Sequence, residues 1–276
     1  AVGDKLDKIR QRTARGRLHG QDDIGVRVGR VIDKYNMAKH FVLHIEDDGF
    51  KIGLNGVDNG RIIFNRVRVP RENLLDRFGS VSAEGEYSSP INNSGKRFFM
   101  MLSTLVMGRV SISAAVNTIA KVGLAITVKY AEKRRQFGPA GEAEVSIMDY
   151  QTYQRRLLPH LATSYALTFA CKDLIKLLEQ DDENQRRELE SMAAGLKVYT
   201  SWHTIESLQV CRESCGGQGY LAVNRFGNLK ADTDVFATFE GSNPVLLQLV
   251  AKGLLTEFRH QFSSQNRFIG IVKMLK

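Results

Sequence analysis

Glu240 is a carboxylate whose setting suits acid–base chemistry. It stands between the apolar run Val235-Phe-Ala-Thr-Phe239 and a helix start at Ser242-Asn243-Pro244. Ser242 or Asn243 can cap that helix, and Pro244 suits its first turn, where a missing N–H costs nothing. Phe236 and Phe239 just before the carboxylate partly desolvate it. Desolvation raises a carboxyl pKa and makes the group a better proton acceptor near neutral pH. The helix N-terminus pulls the other way by favouring the ionised form. A general base needs both influences in balance. A boundary carboxylate standing in water shows the same local pattern, so the surroundings must decide.

Arg109 is the second residue of interest. The run Phe98 to Ala120 carries this single charge. The run is long enough to raise a membrane span. Arg109 at its centre, with Ser103, Thr104, Ser111, Ser113, Asn117 and Thr118, favours a buried helix inside a bundle instead. An unpaired buried guanidinium costs roughly 3–5 kcal/mol, so it demands an anionic partner. That partner is either any nearby acid or a carboxylate or ligand that the arginine orients. Two further clusters stand apart. Arg134-Arg-Gln-Phe137-Gly138 gathers positive charge at a helix C-terminus, which the helix dipole favours with or without a ligand. Cys215-Gly216-Gly217-Gln-Gly219-Tyr220 either ends a helix or lets backbone approach a ligand closely. It is no dinucleotide fingerprint, because no strand precedes it.

The elements that must position these residues are mostly helical. From about Lys96 onward the expected helices are a long one reaching Phe137, then Ser146–Glu179, Glu183–Cys211, Arg225–Val235 and Pro244–Phe262. The acidic turn Gln180–Asn184 separates the second from the third. Strands are expected at His40–Ile45 and from Arg61 to Pro70, where proline ends the pairing, with a turn at Asp47-Asp-Gly49. Residues 71–95 read as a long irregular connection, functional or linking. The expected divisions are therefore 1–48, a basic segment; 49–95, a small β region with its connection; and 96–276, a helical bundle.

Composition agrees. The chain has 276 residues, 25% charged and 43% apolar, an ordinary globular balance with enough length for a real core. Five prolines and 8% aromatics argue against a β-rich fold. The net charge of +9 favours anionic partners, either nucleic acid or a phosphate-bearing ligand. In residues 1–35, Lys5, Lys8, Arg10, Arg12, Arg15 and Arg17 make either a solvated helix face or a phosphate patch. No aromatics interleave there for base stacking, which disfavours nucleic acid. The three cysteines, Cys171, Cys211 and Cys215, form no framework and point to a reducing compartment. Cys211 and Cys215 share a helix face, and no histidine completes a zinc set, so no metal is expected. The chain lacks a secretory signal, and Ala1 in place of Met reads as a fragment or processed start.

Taken together, the motifs resemble the acyl-CoA oxidase branch of the acyl-CoA dehydrogenase family over roughly Gly49 to Phe262. Val57-Asp-Asn-Gly60 and Val67-Arg-Val-Pro-Arg-Glu-Asn-Leu74 resemble the last strands of the family's middle β-domain. Arg134-Arg-Gln-Phe-Gly138 is similar to its Arg-x-x-Phe-Gly flavin motif, and Cys215-Gly-Gly-Gln-Gly-Tyr220 to its Gly-Gly loop. Phe239-Glu-Gly-Ser-Asn243 resembles its catalytic segment. The resemblance implies a mainly α fold, an antiparallel four-helix bundle like the C-terminal part of an acyl-CoA dehydrogenase, preceded by a small β remnant of the middle domain. Residues 1–48 fall outside the match. Arg27–Phe41 is similar to a stretch of DDE-type insertion-element transposases.

The resemblance also implies a reaction. Glu240 falls on the family's base, which takes the pro-R α-proton of a fatty acyl-CoA. The β-hydrogen leaves as hydride to FAD, giving a trans-2-enoyl-CoA in fatty acid β-oxidation, and O2 reoxidises the flavin in the oxidase branch. Arg109 matches an arginine near the base. Arg134 and Phe137 match residues holding the FAD of a neighbouring subunit, Gly216 and Gly217 the loop lying against it, and Ser242 a hydroxyl on flavin phosphate or ribityl. A homodimer or homotetramer follows. The implied location is the cytoplasm in a bacterium and the peroxisome in a eukaryote, although Lys273-Met-Leu-Lys276 is no peroxisomal signal. The family's N-terminal helical domain, most of its β-domain and the oxidases' further C-terminal helical domain lie beyond the match. A flavin site without them holds FAD weakly or not at all, leaving a helical scaffold as the alternative, with a nucleic-acid module through residues 1–35 as another.

Overall fold

The computed structural model describes residues 42–263 apart from Asp58, Ser103, Asp181, Glu183 and Asn184. The basic segment 1–35, the transposase-like stretch Arg27–Phe41 and the terminus Lys273–Lys276 lie outside the described residues. The chain divides into two compact units, one ending at Arg97 and the other beginning at Phe98.

In the first unit, β1 (Val42–Asp47) pairs antiparallel with β2 (Gly60–Asn65), Val42 opposite Asn65 and Asp47 opposite Gly60. This hairpin joins residues on both sides of the division drawn at residue 48. Gly49 takes φ +82 and donates its N–H to Asp47 Oδ1 at 2.8 Å, which makes the expected turn. The strand expected to reach Pro70 stops at Asn65, because Arg66 adopts φ +53, a left-handed conformation that no strand contains. The connection 71–95 carries a second short ribbon, β3 (Ser80–Val81) with β4 (Tyr87–Ser88). None of the described side chains from His44 to Arg97 is buried.

The run expected as one helix from Phe98 divides in two. Helix α1 (Ser94–Leu102) ends before α2 (Leu105–Lys133) begins. Thr104 donates both its N–H and its hydroxyl to Met101 O, at 3.4 and 2.8 Å, a three-residue closure that interrupts the α-helical ladder. The rest of the bundle is α3 (Gln151–Gln180), α4 (Arg186–Ser214), α5 (Phe226–Asp234) and α6 (Asn243–Ser263).

Spacing explains which faces are buried. In α2 the residues Val106, Val110, Ser113, Asn117, Ala120, Leu124, Thr127 and Ala131 are all buried and recur every three or four positions. In α4, Ala194, Lys197, Ser201, Thr204, Leu208 and Cys211 do the same. Their neighbours fix the directions. Val106 and Val110 cluster with Leu174 late in α3 and with Ala193 early in α4. Leu124 clusters with Leu157 early in α3 and Cys211 late in α4. A Cβ built on Gly195 of α4 would touch Val250, and one on Gly253 of α6 would touch Ser191. Helices α2 and α4 therefore run one way, α3 and α6 the other: an antiparallel four-helix bundle with α4 at its centre. Helix α2 is apolar and long enough to cross a membrane by composition, yet its buried stripe faces α3 and α4.

Candidate active site

The segment from α5 to α6 has a backbone that few sequences could adopt. Val235–Ala237 tightens into a 3-10 turn, and Phe236 meets Phe239 edge to face with centroids 6.2 Å apart. Glu240 then takes φ +55 and Gly241 φ +111. A left-handed residue with a side chain costs on the order of 1–2 kcal/mol, so something must hold Glu240 there. The holders are two cations. Arg109 on α2 donates Nε–H to Glu240 O at 3.3 Å. Lys197 on α4, wholly buried, donates Nζ–H to Gly241 O at 2.7 Å and to Asn243 Oδ1 at 2.8 Å. Asn243, also wholly buried, passes the network on by donating to Ser201 Oγ at 2.9 Å.

The held backbone directs the Glu240 side chain onto α2. A Cβ built on Gly108 would stand 2.8 Å from Glu240 Cδ and Oε1 and 2.9 Å from Oε2. The carboxylate therefore lies on the bare helix surface that Gly108 provides. Its Oε2 is buried and has no hydrogen-bond partner within the chain. A buried oxygen without a partner is uncommon in a folded chain and marks this carboxylate as available to a group from outside it. Arg109 is half-buried rather than buried, and its partner is the main-chain oxygen of Glu240. Lys197 carries the strain of the arrangement: burial first, and then the Arg109 charge, pull its pKa down to about 8 against the opposing attraction of Glu240. Ser242 is half-buried, and its carbonyl accepts the amides of Val245 and Leu246 at 3.0 Å each to start α6.

Of the residues singled out in the sequence, Glu240, Arg109 and Ser242 meet at this end of the bundle. Arg134, Phe137, Gly216 and Gly217 do not. Arg134 lies 25 residues beyond Arg109 in α2 and its cap, about 37 Å away along a regular helix. Gly216 lies about 28 Å beyond Lys197 along α4 by the same rise. These four gather at the far end, where the parallel helices α2 and α4 both stop. Phe137 sits there at φ +60 and is 70% exposed. The loop it belongs to folds back on itself through Gln136 N–H to Val145 O and Val145 N–H to Phe137 O. Gly138 has a reason within the chain, since a Cβ would stand 2.6 Å from Ala143 O. Gly219 has one too, with Arg212 O at 2.0 Å, and Gly216 needs its φ of +56. Gly217 has none: its φ is not positive and a Cβ would meet nothing within 4 Å. Gly56 and Gly227 are open in the same way, so Gly217 is set apart only by its place beside Gly216 at this end of the bundle.

The sequence reading passed over Lys197 and Gly108. Lys197 is the only formally charged residue between Glu190 and Glu206. That isolation in an apolar helical stretch is the same signal that drew attention to Arg109. Gly108 leaves no such trace, because its use depends on a side chain 132 positions away.

Comparison with known proteins shows what the chain is similar to. A family model described as "Acyl-CoA oxidase, C-alpha1 domain" matches residues 102–255. "Acyl-coenzyme A oxidase 2, peroxisomal" of Arabidopsis thaliana is 45% identical over 250 residues, which cover 88% of this chain and 36% of the relative. That share exceeds what residues 49–276 alone can supply, so the similarity reaches into residues 1–48. "Peroxisomal acyl-coenzyme A oxidase 3" of Homo sapiens is 43% identical and covers 79% of this chain and 33% of itself. Among solved structures, acyl-CoA oxidase 1 of Yarrowia lipolytica superposes with TM-score 0.73 at 34% identity, covering 81% of this chain and 35% of that one. Acyl-CoA oxidase-1 of Caenorhabditis elegans, crystallised with FAD and ATP, gives 0.72 at 29% identity, with 83% and 34% covered. The chain thus spans about a third of the length of the relatives it matches.

Proposed function

This chain belongs to the acyl-CoA oxidase family, and from that premise we propose that it forms the base-bearing helical part of an oxidase that converts fatty acyl-CoA to trans-2-enoyl-CoA. The observation that carries the reading is the Glu240 carboxylate, laid on Gly108 with Oε2 buried and without a partner. Glu240 takes the α-proton of the thioester. Arg109 and Lys197 hold its main chain so that the carboxylate does not wander. FAD, when bound, would supply the hydride acceptor for the β-hydrogen, which no side chain can be, with O2 as the final acceptor of the electron pair. The residues here fit that group: Gly217 offers bare backbone, and Arg134 and Phe137 are exposed beside the same end of the bundle. Ser242 supplies a hydroxyl beside Glu240 for flavin phosphate or ribityl.

The distance between the two ends has a consequence for assembly. One flavin cannot touch both Glu240 and Gly217 of a single chain. We therefore place Arg134, Phe137, Gly216 and Gly217 against the flavin whose substrate faces Glu240 of a second copy, in a homodimer or a larger assembly of dimers. In a eukaryote the setting is the peroxisome, as the names of the relatives from Arabidopsis thaliana and Homo sapiens state for those proteins.

Substitution of the base tests the reading. Glu240→Gln keeps the shape and removes the proton acceptor. It is expected to retain flavin while turnover falls by about 10²–10⁴-fold, the usual worth of a general base. Dehydrogenation at the wild-type rate in that variant would remove Glu240 from the mechanism. A wild-type protein that takes up no flavin would leave a helical scaffold in place of an enzyme.

A further inference from the structure

The geometry points to Lys197 as the positioning residue of this site: its buried ammonium pins the Gly241 carbonyl and the Asn243 side chain, and so fixes the left-handed turn that aims Glu240 at the substrate. The inference rests on the reading of Glu240 as the base. Three observations support it. Lys197 is wholly buried, although a buried lysine costs several kcal/mol unless its charge is used. Both hydrogen bonds that it donates go to residues just after Glu240, Gly241 at 2.7 Å and Asn243 at 2.8 Å. The turn it grips contains consecutive positive φ values, +55 at Glu240 and +111 at Gly241; glycine adopts its value freely, whereas glutamate does not.

The two cations divide the work. Arg109 holds the carbonyl of Glu240 from α2, and Lys197 holds the carbonyl of the next residue from α4. The base is thereby clamped between the two parallel helices at the bundle centre. Asn243 ties the clamp to the first residue of α6 and, through Ser201, back to α4. Lys197 donates no hydrogen bond to the Glu240 carboxylate, although the two opposite charges attract, so its removal leaves the proton acceptor present but badly aimed and without that neighbouring charge. That distinguishes a positioning residue from a second catalytic one.

The test is Lys197→Met, which keeps the length of the side chain and removes the donors, beside Asn243→Ala, which removes one acceptor and leaves Lys197 in place. In Lys197→Met, kcat for acyl-CoA is expected to fall about 10²-fold with KM within about twofold of wild type, the signature of a displaced group that does not bind substrate. Amide hydrogen exchange in residues 239–246 is expected to accelerate about tenfold or more, while α2 and α4 keep their protection. The exchange measurement needs neither flavin nor substrate. Wild-type kcat together with wild-type exchange in that segment overturns the inference. So does a general loss of protection across the bundle in both variants, which would make the lysine a fold residue. If Lys197→Met does not fold, Asn243→Ala decides by the same two readouts. Failure of the underlying reading shows itself separately, as a Glu240→Gln variant that still turns over.

Discussion

At the scale of single residues, the site depends on an absence as much as on a charge. Gly108 has no side chain, and the Glu240 carboxylate occupies the space where one would be. Gly108→Ala therefore sets helix stability against base position. Alanine in a helix interior is favoured over glycine by roughly 0.5–1 kcal/mol, and the atoms it meets are the far end of a flexible side chain that can swing away. The variant is expected to unfold at the wild-type temperature or a few degrees above it. Its kcat is expected to fall about 10²-fold, because an ångström of displacement is enough. Thermal denaturation and steady-state kinetics on the same preparation check both halves, and an unchanged kcat would mean that the carboxylate is not the reacting group. Glu240 and Arg109 were legible in the sequence by type and setting. The partner of Arg109 was not: electrostatics demanded an anion, and the fold supplied a main-chain oxygen.

At the scale of elements, α2, α3 and α4 are joined across the core by a polar layer that pattern-reading does not anticipate. His203 Nε2 lies 2.9 Å from Ser164 Oγ and 3.3 Å from Ser207 Oγ, and Ser207 lies 3.0 Å from His160 Nδ1. Asn117 donates to Ser164 O at 3.1 Å and to Thr168 Oγ1 at 3.0 Å. Burial, then the like charge of His160, whose ring stacks 5.8 Å away, push the His203 pKa from 6.5 down to about 4, with Glu206 opposing. The folded protein then binds fewer protons at this site than the unfolded chain between those two values. Stability rises with pH across that window, is complete above about pH 6.5 and is lost as pH falls towards 4. The shift corresponds to roughly 3 kcal/mol. Unfolding free energies measured from pH 4 to 7 are expected to show that slope, and His203→Asn, which cannot titrate, is expected to flatten it. An equal slope in both proteins would place the titration elsewhere. The end of α4 was readable from the glycines after Cys215, whereas α2 stops at Lys133, short of the expected Phe137, because Arg134 turns extended, and the break before α2 depends on one threonine turning back to Met101 O.

At the scale of the whole molecule, the buried residues among those described run from Val106 to Leu246, all within the helical unit. The two ends of that unit that carry the candidate residues lie about 37 Å apart along α2, which is why the proposed site draws on a second copy. Co-assembly tests the requirement. Glu240→Gln loses the base end, and Gly217→Leu fills the bare surface at the other. Each alone is expected to be inactive. Chains mixed at random in dimers are expected to recover about a quarter of wild-type activity, since half the dimers pair unlike chains and each of those has one intact site. No recovery from mixed dimers, isolated by two affinity tags, would mean that each chain completes its own site.

The sequence by itself determined the bundle, most of its helices to within a few residues and the family that its motifs resemble. Those features are local: they depend on periodicity, on capping and on short motifs that hold their meaning wherever the chain goes. Tertiary structure decided the rest. It alone put Gly108 beneath Glu240, brought Lys197 across from α4 to hold Gly241, and set the two motif clusters at opposite ends of one helix. Each of these joins residues far apart in the chain, and a spacing in sequence carries no measure of such a distance until the helices have packed.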